Sequence, residues 1–242
     1  PEVFKFGELP EPTPGGGEVK IKVKACALNR LDVYTRAGVR GTKMDLTEPH
    51  VLGADVSGEV VEIGPKVTRI SAGDRVVVNP RITCMQCRYC QSNQSEYCAS
   101  AGMVGSTISG GYAEYVVVPA TNAFSIPDNL SHVQAASLPT VFLPSWNILI
   151  RRSQLKPWEI ALVPSASSGV GTAAIQVAKN IAKSTVIATT STVEKAEKAS
   201  ALGADHVINY KSEDVSERLK DITQGRGVDV VIDHVGTDIW NA

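Results

Sequence analysis

Two hydrophobic periods divide the chain. In the first half apolar residues alternate: Val19-Lys-Ile-Lys-Val-Lys has period two, the pattern of a strand with one buried face. Pro12, Pro14 and Gly15 to Gly17 precede it as a loop. Further strands are predicted at Val56–Ile63, Arg75–Val78 and Tyr112–Val118, separated by Gly-Pro, Ala-Gly-Asp and Ser-Gly-Gly turns. Short strands at this spacing predict a barrel or sandwich over residues 1–127.

From Ser131 the period lengthens. Val133, Ala136 and Leu138 lead into Trp146, Ile148, Leu149 and Ile150, a helical segment expected to break at Pro139 and Pro144. Strands are then predicted at Ile160–Val163, Thr185–Thr189, His206–Asn209 and Val228–Asp233. They alternate with helices at Val170–Lys183, Val193–Leu202 and Ser212–Thr223, so residues 128–242 should form a parallel sheet with crossover helices. The last strand is nearly all apolar, as a strand buried on both faces should be. A complete dinucleotide-binding sheet has six strands and only four are predicted. With Pro1 at one end and a buried strand at the other, the sequence reads as truncated at both ends.

Ile160 to Gly171 is the turn around which the second half is organised. An apolar run ends in Pro-Ser-Ala-Ser-Ser-Gly-Val-Gly and a helical pattern starts at once. A helix N-terminus left open there presents unpaired N–H groups and a positive dipole end to a phosphate. Laid on Gly-x-Gly-x-x-Gly, the turn reads Ala166-x-Ser168-x-x-Gly171, an imperfect dinucleotide fingerprint.

The net charge of −1 and 20% charged residues give no field that favours nucleic acid or membrane. No apolar run approaches a membrane span and the start is no signal peptide, so a soluble cytoplasmic protein is expected. Four of the five cysteines fall between Cys84 and Cys98, as C-x2-C-x2-C-x7-C. Cys84, Cys87, Cys90 and Cys98 can close a tetrahedral zinc site, structural because no position stays open. A ferredoxin-type cluster would want its fourth cysteine at x3 before proline. Cys26 reads as a small buried hydrophobe. His50, His132, His206 and His234 form no pair at metal-ligand spacing and read as surface or locally satisfied histidines.

A β-rich domain with a four-cysteine lobe, followed by a strand-and-helix half with Gly169-Val-Gly171, resembles the medium-chain dehydrogenase/reductase superfamily. Gly73-Asp-Arg-Val76, the Gly-Gly-Tyr-Ala-Glu-Tyr run at 110–115 and Ala201-Leu-Gly-Ala-Asp205 carry the resemblance further. It implies an α/β protein: an N-terminal GroES-like distorted β-barrel and a Rossmann doubly wound parallel sheet, incomplete here, that pairs into homodimers or homotetramers.

The zinc alcohol dehydrogenases of this superfamily hold a catalytic metal through three positions, which fall here at Asn29, the Gly53-Ala54-Asp55 motif and Thr140. Neutral Asn, Ala and Thr do not replace thiolate and imidazole. Leu28-Asn29-Arg-Leu-Asp32-Val-Tyr34 is similar to the corresponding loop of quinone oxidoreductases, which implies Asn29, Asp32 and Tyr34 at the nicotinamide and acceptor pocket. Asn29 would hold the acceptor oxygen and Tyr34 would relay a proton. Asp32 would otherwise cap a helix.

The second predicted strand of the cofactor domain ends Thr190-Ser191-Thr192, without the carboxylate an NAD site uses. Hydroxyls with Lys195 nearby favour the NADP 2′-phosphate, and Tyr210 resembles a contact of NADP-linked relatives. Lys195 could equally belong to a solvated helix face. Ser168, Gly169 and Val170 would take the pyrophosphate.

The expected function is hydride transfer from NADPH, or NADH, to a quinone, enone or unsaturated thioester, with one structural zinc and a small-molecule partner only. A zinc-type alcohol dehydrogenase and a non-catalytic, zinc-stabilised nucleotide-binding protein are the alternatives.

Overall fold

The computed structural model describes residues 4–39, 49–233 and 236. Two compact units meet at Thr140 and Val141, later than the 127/128 boundary expected.

In the first unit β1 (Glu18–Ala27) is followed by α1 (Arg30–Ala37), β2 (Asp55–Ile63), β3 (Arg75–Val78) and the short β4 (Arg81–Ile82). Then come α2 (Arg88–Gln91), β5 (Gly102–Met103), β6 (Tyr115–Pro119), β7 (Ala123–Ser125) and α3 (His132–Ala136). The main sheet has the order β6-β1-β2-β3-β7, and its pairs are antiparallel. The alternation predicted for β1 is present: Val19 and Ile21 are fully buried, packed with Val56, Val60, Val76 and Val118. Beneath the sheet, α3 packs on β1, β2 and β3, which is why the unit runs past residue 127. β6 starts at Tyr115 rather than Tyr112, because the N–H groups of Gly111 and Tyr112 go to the carbonyls of Gly53 and Leu52.

Helix α4 (Pro139–Trp146) leads into the second unit and continues as a π-helical turn over Asn147–Arg152. Neither proline breaks it. Pro139 takes the first position, where a missing N–H costs nothing, and Pro144 removes only the N–H that the Thr140 carbonyl would have accepted.

The second unit alternates as predicted: β8 (Ile160–Val163), α5 (Gly169–Gln176, extended by a π turn to Ala182), β9 (Thr185–Thr190), α6 (Val193–Ala201), β10 (His206–Asn209), α7 (Val215–Thr223) and β11 (Val230–Val231). Helix α7 starts three residues later than predicted, at Val215, because Asp214 caps it, accepting the Glu217 N–H at 2.9 Å. All described pairs in this sheet are parallel, in the order β10-β9-β8-β11, the order of the first four strands of a doubly wound dinucleotide fold. Alternate residues feed the two faces. Ala161, Val163, Val186 and Ala188 join the helices of one layer, while Leu162, Ile187 and Ile208 meet Leu219 and Ile222 of α7 on the other. β11 corrects the expectation of a six-residue strand buried on both faces. Its ladder is short because the Asp229 carboxylate takes the Ile160 N–H at 2.8 Å, and Val231 is 48% exposed. Among the described residues no helix is long and apolar enough to cross a membrane.

Candidate functional site

The loop after β1 turns sharply into α1, with Asn29 as N-cap in extended conformation. Asp32, in the first turn, reaches back so that its Oδ2 accepts the Asn29 backbone N–H at 2.8 Å. The same oxygen accepts the Tyr112 phenol at 2.9 Å, and Oδ1 accepts the Gly53 N–H at 3.3 Å. Asp32 is buried and committed to three donors, so it serves as cap and latch. Burial and the adjacent Asp32 carboxylate push the Tyr112 phenol above its ordinary range, keeping it a donor.

Gly53 could be nothing else. Its φ is +99° and a Cβ there would sit 2.7 Å from the Tyr112 ring and 2.8 Å from Cys26 Sγ. Cys26 is half-buried against the β-domain core. Burial first, then Asp32 and Asp55, push its thiol up to about 12, so it is neutral, as a small hydrophobe should be.

Beside this latch, Asp55 at the start of β2 is 1% exposed. Its Oδ2 accepts Asn29 Nδ2 at 2.9 Å. Its Oδ1 accepts both the Thr140 backbone N–H at 3.0 Å and the Thr140 hydroxyl at 2.7 Å. Burial raises the Asp55 carboxyl above its ordinary range, against the pull of these three hydrogen bonds. Asn29, Asp55 and Thr140, drawn from three distant stretches, therefore form one closed polar set. Tyr34 lies further along α1, half-buried.

The sequence treated Asp55 and Thr140 only as positions where metal ligands were missing. What it could have signalled is the coincidence itself: an amide, a carboxylate and a hydroxyl at three such positions can satisfy one another.

The cysteine lobe hangs between β4 and β5, which pair as a small antiparallel clasp. The sulfurs of Cys84, Cys87, Cys90 and Cys98 all lie within 4.8 Å of one another. Cys84 to Cys90 is 3.9 Å, and both Cys87 to Cys90 and Cys84 to Cys98 are 3.6 Å. Tetrahedral zinc with Zn–S bonds near 2.3 Å places its sulfurs about 3.8 Å apart. The donor set and its spacing fit zinc. Multi-iron clusters hold their cysteines farther apart. Backbone N–H groups of Gln86 and Cys87 bring the Cys84 thiol down to about 6, ready to ligate as thiolate, while desolvation and the neighbouring thiols hold Cys90 up at about 11.

In the second unit the β8–α5 turn brings Ser168, Gly169 and Val170 to the helix N-terminus. Ser168 corrects the expectation of an open end: its Oγ accepts the Gly171 N–H at 3.0 Å and its carbonyl accepts the Thr172 N–H. The N–H groups of Gly169 and Val170 have no partner among the described residues. Gly171 is required for close packing, since a Cβ would stand 2.5 Å from the Ser165 carbonyl oxygen.

At the carboxyl end of β9, buried Thr190 precedes Ser191, whose Oγ accepts Lys195 Nζ at 3.3 Å. Glu194 pairs instead with Lys198 at 2.6 Å. Tyr210 is held alongside by its N–H, which donates to the Thr190 carbonyl at 3.0 Å. Lys211 Nζ lies 5.9 Å from the centre of the Tyr210 ring, a second ammonium that the sequence reading missed. Ser191 and Lys195 are thus hydrogen-bonded to each other, and Tyr210 is tied to the adjacent Thr190.

Of the histidines, His132 is locally satisfied. Its Nδ1 lies 2.9 Å from Ser57 Oγ, which donates to the Val76 carbonyl. His206 is exposed. His50 differs from expectation: its Nε2 is buried with no partner among the described residues. His234 lies outside the described residues.

Known proteins match both units. Residues 15–128 match the alcohol dehydrogenase GroES-like domain and residues 169–242 the zinc-binding dehydrogenase family. An NAD-dependent alcohol dehydrogenase of Sulfurisphaera tokodaii is 36% identical over 95% of this chain and 67% of its own length. A 2-haloacrylate reductase of a Burkholderia species is 32% identical over 98% of this chain and 64% of its own. A crystal structure of an NAD-dependent alcohol dehydrogenase superposes with a TM-score of 0.92 at 42% identity, covering 97% of this chain and 68% of that one. The chain thus spans about two thirds of the relatives it matches. Zinc and a nicotinamide cofactor fit the chemistry of its two units. The chain belongs to the medium-chain dehydrogenase/reductase superfamily, a family of oxidoreductase enzymes.

Proposed function

We propose that the protein is an NADPH-dependent reductase that passes hydride to a quinone, an enone or an unsaturated thioester, with a structural zinc on Cys84, Cys87, Cys90 and Cys98 and no catalytic metal. The observation that carries this reading is the Asn29–Asp55–Thr140 set. A carboxylate already holding three hydrogen bonds, flanked by a neutral amide and a hydroxyl, is a poor place for zinc. It is a good place to fix an amide against an acceptor oxygen.

NADPH, when bound, supplies the hydride from nicotinamide C4. Gly169 and Val170 would hold the pyrophosphate on their N–H groups, with Ser168 shaping the turn. Thr190 would shape the end of β9, while Ser191, Lys195 and Tyr210, joined by Lys211, would take the 2′-phosphate. Asn29 would donate its amide N–H to the acceptor oxygen as negative charge builds there. Tyr34 would relay the proton that completes the reduction. Asp32 would act only through the loop it latches. The partner is a small carbonyl compound or quinone, the assembly a homodimer or homotetramer, and the location cytoplasmic.

Oxidation of NADPH by a panel of quinones, enones and unsaturated thioesters tests the reading in the full-length protein. Turnover on one class supports it. Turnover only of alcohols with NAD would support the second reading, a zinc-type alcohol dehydrogenase, which the names of two of the relatives favour.

A further inference from the structure

Among the described residues, Asp55 is the carboxylate that accepts from the Asn29 side-chain amide. Thr140 places two donors on Asp55 Oδ1, which leaves Oδ2 to face Asn29. A carboxylate can only accept, so Asn29 must turn its Nδ2 toward Asp55 and its Oδ1 away. The remaining Nδ2 hydrogen is then fixed in direction as well, because the amide is planar. Thr140 decides the rotamer of Asp55, and Asp55 decides which end of Asn29 faces it.

We infer that Asp55 is a positioning residue that sets the orientation of the Asn29 carboxamide, so that the site presents an N–H donor to the acceptor oxygen. The inference rests on the proposed reductase chemistry and names what makes Asn29 competent for it. An amide free to turn would offer its oxygen to the acceptor as readily as its nitrogen, and oxygen against developing negative charge is repulsive.

Asp55→Asn is the informative variant, since it keeps shape and hydrogen-bond count. The two Thr140 donors require an acceptor, so the new amide oxygen takes the Oδ1 position and its NH2 faces Asn29. Asn29 must then turn over to accept, and its own N–H leaves the acceptor. Removing a single donor of this kind costs on the order of a hundredfold in kcat.

The test compares wild type, Asp55→Asn, Asn29→Ala and the double variant in the full-length protein, with NADPH and 2-cyclohexenone or a benzoquinone. The expected result is a roughly hundredfold loss of kcat in Asp55→Asn with NADPH affinity unchanged, and no further loss when Asp55→Asn is added to Asn29→Ala. Wild-type kcat in Asp55→Asn, or full additivity in the double variant, would overturn the inference. A second readout does not need turnover: the side-chain NH2 resonances of Asn29, assigned by their loss in Asn29→Ala. One of the two protons should move upfield in Asp55→Asn as its bond to a carboxylate is lost. If it does not move, Asp55 does not orient Asn29. If it moves but wild type reduces no acceptor, the reductase reading falls while the orienting role stands.

Discussion

The Tyr112 phenol donates to Asp32 Oδ2 at 2.9 Å across a sequence separation of 80 residues. That one oxygen also accepts the Asn29 backbone N–H, so the Gly-Gly-Tyr loop and the first turn of α1 are tied at a single buried carboxylate. Tyr112→Phe removes one donor and leaves Asp32 two others, and should cost about 1 kcal/mol. Asp32→Ala strands three donors at once and should cost about 3 kcal/mol. Urea denaturation of the two variants checks the order, and a larger cost for Tyr112→Phe would contradict the latch.

Metal removal should read out through thiols. With zinc bound, the four clustered cysteines are ligated and Cys26 is buried with its thiol raised to about 12, so no thiol should react quickly with a disulfide reagent. Chelation should make the four clustered thiols reactive, Cys84 first and Cys90 last, and lower the melting temperature of the β-rich unit. A fast fifth thiol would show that the Gly53–Tyr112 packing over Cys26 is looser than described.

Protonation of His132 should cost stability. Desolvation, then Arg75 and Lys24, hold its pKa below the ordinary 6.5. The unfolded chain therefore takes up the proton first as pH falls, and the folded state loses stability from about pH 6.5 downward to its own lower pKa. Above that window both states are neutral and the effect vanishes. His132→Gln should flatten this part of the stability profile relative to wild type, as followed by denaturation between pH 5 and about 7.5. An unchanged difference across the window would place the titration elsewhere.

Cofactor choice should follow the corner at the end of β9. Lys195→Ala removes an ammonium now resting on Ser191, 3.3 Å away, and should raise the KM for NADPH roughly tenfold while leaving NADH unaffected. Steady-state kinetics with both cofactors distinguishes this from a surface role, in which neither would change.

Elements with a strong period were readable from the sequence. β8 and β10 fall on their expected residues, short runs with an apolar centre bounded by turns. So was the cysteine lobe, where spacing alone limits the geometry. The misses have local causes. Pro144 is compatible with the helix because it removes only the one N–H that the Thr140 carbonyl would have accepted. β11 looked like a central strand from composition, but Asp229 uses its side chain where a longer ladder would continue. The helix cap made by Ser168 was not read from the fingerprint, since a serine before a helix can cap it whatever else it contacts. Asp55 and Thr140 escaped because their role exists only as a pairing over 85 residues of sequence, which no periodicity records.

Zinc content of the full-length protein, measured by elemental analysis after dialysis against a mild chelator, tests most directly whether hydride transfer here proceeds without a catalytic metal. On the proposed reading the four-cysteine lobe would hold one zinc per chain and the Asn29–Asp55–Thr140 set none. One equivalent in protein that oxidises NADPH is the predicted result. Two equivalents, the second lost on replacing Asp55, would contradict it and place a metal where three hydrogen bonds are now assigned.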